Sequence, residues 1–136
     1  MHGEQDLQKL LKTLSAKLVE GVHVFVTLPD NQVPADLRPR MLFREGEGTT
    51  LILLKSEAET AGLDHAFACR MITLDVHSSL DAVGFIARIA TELAAHGLAV
   101  NPVSAFHHDH LFVPEERAQE ALQLLEHLAT DVAEDR

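Results

Sequence analysis

MITLDVHSSLDAVGFIARIATELAAHGLAV, residues 71–100, changes its hydrophobic period part-way along. Ile72, Leu74 and Val76 first alternate with Thr73, Asp75 and His77, the period of a half-buried strand. Ala82, Val83, Ile86, Ile89, Ala90, Leu93 and Ala94 then fall on one face at helical spacing. Ser78 and Asp81 have capping-box spacing, so the sequence predicts one helix over residues 80–96. Gly97 is placed as its left-handed cap, with Leu98 making the accompanying apolar contact.

Downstream, residues 98–105 read as a strand interrupted by Pro102, and 108–113 as another. Pro114 opens a last helix, where a missing N–H costs little; Ala118, Ala121, Leu122, Leu125 and Leu128 form its buried stripe. From Thr130 the chain is polar and a frayed end is expected. The order from residue 71 is thus βαββα, one strand short of a ferredoxin-like βαββαβ unit. The missing strand must come from the N-terminal half or from a partner chain.

Upstream, Leu7, Leu10, Leu11, Leu14 and Leu18 predict a helix ended by Gly21, followed by a β-branched strand over 22–28. Pro29, Pro34 and Pro39 make residues 29–39 irregular. Residues 41–44 and 49–54 flank a turn, Glu45-Gly46-Glu47-Gly48. A short helix lies between Ser56 and Gly62, and a long strand over 66–77 carries a bend near Asp64-His65 or Cys69-Arg70. The expected fold is α+β, an antiparallel or mixed sheet with helices packed on one face, its two halves forming one cooperative body.

Composition narrows the function. A chain of 136 residues can bury roughly two-thirds of its unfolded surface. Its net charge is −10, from 11 Lys and Arg against 21 Asp and Glu, which argues against a phosphate backbone as partner. Arg38, Arg40 and Arg44 are the nearest thing to a basic cluster and read as a solvated edge. Without Trp or Tyr, stacking platforms for bases are scarce. No apolar run approaches the ~20 residues of a membrane span, and a single cysteine, Cys69, with apolar neighbours fits the cytoplasm.

Two further runs carry a resemblance. The loop His77-Ser78-Ser79-Leu80-Asp81-Ala82-Val83-Gly84 and the run Ala95-His96-Gly97-Leu98-Ala99-Val100-Asn101, within a strand, helix, strand, strand, helix order, resemble an ACT domain. Val76 to Leu80 together with His108-Asp109-His110-Leu111-Phe112-Val113-Pro114 are similar to the small stand-alone bacterial ACT-domain-containing proteins. The commonest ACT loop has Asp-x-x-Gly or Asp-x-Pro-Gly, and Asp81-Ala82-Val83-Gly84 comes near the shorter form. The resemblance implies two ferredoxin-like units with antiparallel sheets, residues 1–69 and 70–136, the first degenerate, that bind an amino acid or related metabolite, act as a homodimer and regulate rather than catalyse. It places the ligand at Ser78, Ser79, Leu80, Asp81, Val83 and Gly84, facing Asn101, Val103 and Ser104. The residues themselves suit this: a helix N-terminus offers amides for a carboxylate, and Asp81 could meet an ammonium group.

His107, His108, Asp109 and His110 offer a second chemistry. His108 and His110 share one face of an extended strand, with His77 near by, so a metal-binding protein or metal-dependent enzyme is the alternative. A structural or interaction protein without ligand is the third reading. Nothing frames a nucleophile: Cys69 lacks a base, and no Gly-x-Ser-x-Gly elbow surrounds Ser78 or Ser79. No cofactor is expected.

Overall fold

The structure is a computed structural model that describes residues 3–134. The chain forms α1 (Leu7–Lys12), β1 (Ala16–Leu28), β2 (Met41–Glu45), β3 (Gly48–Leu54), α2 (Lys55–Thr60), β4 (Ala66–Leu74), α3 (Phe85–Ala94), β5 (Asn101–Ser104), β6 (Asp109–Pro114) and α4 (Ala118–Glu134). It divides into two compact units, residues 1–19 with 70–136, and residues 20–69. One crossing falls between Cys69 and Arg70. The other lies inside β1, so the first nineteen residues go with the C-terminal half.

The unit of residues 20–69 has strand order β2-β3-β1-β4. β3 runs antiparallel to both β1 and β2, and alternation sends Val24, Val26, Leu51 and Leu53 to one face, where Ala58 of α2 completes the core. A 3-10 turn at Asp30–Gln32 stands where a first helix would lie. Pro29, Pro34 and Pro39 explain it, because each removes a backbone donor and constrains the residue before it. β4 runs unbroken through Cys69-Arg70, and its irregular position is Phe67, between the two places expected for a bend, with φ 60° and its ring edge-on to Phe25 at 5.8 Å.

The other unit has the order β1-β4-β6-β5, with β5 and β6 antiparallel. Its plan matches the first: the opening strand is central, a hairpin lies on one side and a closing strand on the other. Here the closing strand is the start of β1. Asp75 N donates to Ser15 O at 2.6 Å, the Arg70 guanidinium donates from Nη2 to Val19 O at 3.0 Å, and the Lys17 side chain pairs with Asp75 at 3.0 Å. The strand that the βαββα half lacks is therefore supplied within the chain. Ile72, Leu74, Leu111 and Val113 present one sheet face to Leu10 and Leu11 of α1, Phe85, Ile89 and Leu93 of α3, and Ala121, Leu125 and Leu128 of α4.

Two helices differ from their expected bounds. α1 ends at Lys12, with Thr13 donating both its amide and its hydroxyl to Lys9 O. Leu14 and Leu18 still join the core. They do so from the strand side, because positions 14, 16 and 18 also satisfy a period of two. Gly21 has the positive φ, 99°, that a helix cap would need, but spends it inside β1. α3 begins at Phe85 rather than Leu80. Ser79 Oγ accepts from Asp81 N at 3.0 Å, two residues on, which makes a turn instead of a cap, and Gly84 sits left-handed at φ 92°. Ser56 and Glu59, which also have the spacing of a capping box, make no cap either, since Leu54 precedes the helix without a side-chain bond.

Several expectations hold at the ends. Gly97 adopts φ 70°, and Leu98 N reaches back to Leu93 O at 3.1 Å with its side chain buried. Arg117 donates to Gly97 O and His96 O, both at 2.9 Å, fixing the exit of α3 against the start of α4. Its hydrogen bond to Glu120 holds that carboxyl below the usual carboxylate range. The polar end expected to fray is helical to Glu134; residues 135 and 136 lie outside the described residues.

Cys69 is buried, and its Sγ donates to His23 O at 3.3 Å. Burial pushes the thiol up to about 12. A disulfide reagent is therefore expected to label native protein no faster than it unfolds, and denatured protein at once. Labelling of the native chain within seconds at neutral pH would contradict this placement. Because the folded thiol titrates above the unfolded one, its contribution to stability is complete below about pH 8.5 and is lost as pH rises towards 12.

Candidate ligand site

The turn between β4 and α3 and the hairpin between β5 and β6 meet at the N-terminal end of α3 and enclose a cavity of about 220 Å³. Ser78, Ser79, Leu80 and Gly84 line it from the turn, Phe85, Ile86 and Ala87 from the first turn of α3, and Ser104, Ala105 and Asp109 from the hairpin. Ser104 and Asp109 are register partners, which sets them side by side at the hairpin's end.

Five of the nine residues expected at the site come together here: Ser78, Ser79, Leu80, Gly84 and Ser104. Asp81 does not line this cavity; it lines a neighbouring one of about 140 Å³ with Gly3, His77 and Phe106. Val83 is 83% exposed. Asn101 and Val103 pair with Phe112 and His110, and strand alternation turns them to the face opposite Ser104.

Asp109, read in the sequence as part of the histidine run, lies in this lining. It is 7% exposed, and its Oδ2 accepts from Ser78 Oγ at 3.1 Å. The signal was available: Leu111 and Val113 read as core, so Asp109, two and four positions earlier, places a carboxylate on the core-facing side of a strand. Among the described residues no Lys, Arg or His lies within ion-pair distance of it.

The hydroxyls have assigned directions. Ser78 gives its proton to Asp109 and keeps lone pairs to accept. Ser79 accepts from Asp81 N and keeps its proton to donate. Phe85, Ile86 and Ala87 occupy the first turn, whose amides have no partner inside the helix, whereas Arg88 N already bonds Gly84 O. One part of the lining thus accepts and carries negative charge, and another donates at the positive end of a helix dipole.

The N-terminal segment braces the turn. Glu4 N donates to His77 O at 2.8 Å, and Ser79 N donates to Glu4 O at 2.9 Å. A Cβ on Gly3 would lie 2.5 Å from the backbone of Ser78, so the segment approaches as only glycine allows. Gly3→Val is expected to break this bridge and expose the amide of Ser79 to rapid hydrogen exchange. Unchanged protection at Ser79 would show that the segment does not hold the turn.

Among the described residues the histidines build no metal centre. His108 Nε2 stands 3.5 Å from Asp75 Oδ1, and His110 Nδ1 bonds Thr73 Oγ1 at 3.0 Å, with the two imidazole rings 6.3 Å apart. His107 is 6.0 Å from His77, ring to ring. Among the described residues, no group of three or more His, Cys, Asp or Glu could hold a metal ion. Asp109, the carboxylate of that run, is turned to the other face of β6.

Comparison with known proteins fits this geometry. Two family descriptions, both of the ACT domain, match residues 2–70 and 67–127. The chain belongs to the ACT-domain family. ACT domains are ligand-binding regulatory domains rather than catalysts, and no helix among the described residues is long and apolar enough to cross a membrane. The ACT-domain chain is similar to a Vibrio cholerae protein of unknown function, with 43% identity and a TM-score of 0.81, covering 90% of this chain and 95% of that one. An Agrobacterium tumefaciens protein has 17% identity and a TM-score of 0.70, covering 85% and 89% of the two chains. The regulatory subunit of aspartate kinase from Thermus thermophilus has 12% identity and a TM-score of 0.65, covering 85% and 99%. The last two likenesses are of fold alone. No curated protein matches the chain.

Proposed function

We propose that this protein binds a free amino acid or a close metabolite in the cavity beside Ser78 and Asp109, and acts in the cytoplasm as a non-catalytic regulatory sensor. The observation that carries the reading is the division of hydrogen-bonding groups within one small cavity. Asp109 and Ser78 accept, and the α3 amides with Ser79 donate. A zwitterion has the matching pair, an ammonium group for Asp109 and a carboxylate for the helix N-terminus. Its volume, about 220 Å³, lies below the 300–1,000 Å³ typical of drug-sized ligands and suits a single amino acid.

The test is a thermal-shift screen against the twenty amino acids. A ligand at ~100 times its Kd adds roughly 2.7 kcal/mol to folding, several degrees for a chain of this length. If none of the twenty moves the melting temperature, the sensor reading falls and a structural role replaces it.

We also propose a homodimer. The second unit no longer requires a partner's strand, so the support is now a surface: β2 lies at the edge of its sheet, with Leu42 and Phe43 49% and 62% exposed. Light scattering at micromolar concentration should give a dimer, and Phe43→Glu a monomer. A monomeric parent chain would remove the proposal.

A further inference from the structure

Asp109 is the one charged residue among the described residues lining the cavity. Around it the lining is three serines and uncharged, apolar or small residues, with Leu80, Phe85, Ile86 and Ala105 among them. A buried carboxylate without a cation is costly, and a ligand ammonium offsets that cost. A second anionic group on the ligand would find no cation in the lining. A long or aromatic side chain would find little room, because the amino and carboxylate ends already occupy much of the volume.

On the reading that an amino acid binds here, we infer that the site selects short, uncharged amino acids, of the serine, threonine and alanine kind, and rejects acidic ones. The selection arises in three places. Asp109 with Ser78 requires the ammonium group. The N-terminal amides of α3 with the Ser79 hydroxyl require the carboxylate. Ser104, beside Asp109 in register, offers a hydroxyl to the ligand's side chain, next to the methyl group of Ala105. The cavity holds no cation that would take a phosphate or a second carboxylate.

The experiment is calorimetric titration of the full chain with L-serine, L-alanine, L-aspartate and L-phenylalanine, and with two truncated probes, ethanolamine and lactate. L-Serine or L-alanine should bind at least ten-fold more tightly than L-aspartate or L-phenylalanine. Ethanolamine, which lacks the carboxylate, and lactate, which lacks the ammonium group, should each be at least ten-fold weaker than the amino acids. Asp109→Asn keeps an oxygen to accept from Ser78 while removing the charge. It should melt no lower than the parent and lose ten-fold or more of its affinity for L-serine. Should L-aspartate or L-phenylalanine bind as tightly as L-serine, with binding lost in Gly84→Leu, the amino-acid site would stand and the selectivity would be wrong. Should Asp109→Asn bind L-serine as the parent does, the role of the carboxylate would be overturned. Should none of these probes bind, and no other amino acid either, both the inference and the reading beneath it would fall.

Discussion

Leu11→Ala is expected to cost about 2–5 kcal/mol of stability, as much as Leu125→Ala in the last helix. Leu11 is 2% exposed and Leu125 fully buried, and both belong to the same apolar cluster. Leu11 lies near the N-terminus, but its neighbours are the helices and strands of the C-terminal half, and α1 packs on both α3 and α4. The effect arises because residues 1–19 close a unit whose other members begin at residue 70. A stronger form of the same expectation concerns the fragment of residues 70–136. It keeps the second half of β4 (from Arg70), α3, β5, β6 and α4 but loses α1, the start of β4 and the β1 residues that flank it. It should show no cooperative melting transition by circular dichroism. A fragment that folds on its own with a sharp transition, or a Leu11→Ala variant within about 0.5 kcal/mol of the parent, the scatter expected of surface sites, would restore a simple division at 69/70.

Gly84→Leu should abolish amino-acid binding and lower stability as well. Gly84 has φ 92°, a conformation that L side chains rarely adopt, and forcing one there costs about 1–3 kcal/mol. A Cβ would be in ordinary contact with Leu7 at 3.5 Å, so the backbone rather than a collision limits the substitution. The longer leucine side chain must then enter the lining of the cavity or displace the first turn of α3. Gly84→Asn separates the two effects, since asparagine tolerates the left-handed region at a smaller cost. It should fold nearly as stably as the parent while still weakening the ligand-induced rise in melting temperature. If Gly84→Leu retained the full ligand-induced shift, the turn from Ser78 to Gly84 could not be the ligand's seat.

Much of the fold is visible in the residue pattern because the two periods differ. The alternation of Ile72, Leu74 and Val76 and the stripe of Ala121, Leu125 and Leu128 each fit one period only, and both elements form, although β4 ends at Leu74 and leaves Val76 just beyond it. Leu14 and Leu18 fit both periods. There the competition was decided by pairing with β4, a long-range contact that local spacing does not encode. The start of α3 was misplaced for a related reason. Ser78 and Asp81 have the spacing of a cap, but Ser78 is bonded to Asp109, thirty-one positions away, and so cannot serve the helix.

The same bond explains why the site was only half legible. The turn residues stand in the resemblance and in the local sequence, whereas the carboxylate that faces them comes from another strand. Asn101 and Val103 were expected beside Ser104, but a strand shows one face at a time. Only the alternate position, with Asp109 across from it, reaches the cavity. A carboxylate two and four residues before Leu111 and Val113, both core-facing, is the local sign of that placement.

The most direct measurement is the backbone amide NMR spectrum of the full chain as the amino acid that raises the melting temperature most is titrated in. The account predicts that the largest shifts fall on Ser79, Phe85, Ile86, Ala87 and Asp109, while the amides of β2 and β3 stay in place. Largest shifts within residues 41–54, or a spectrum that none of the twenty amino acids alters, would contradict it.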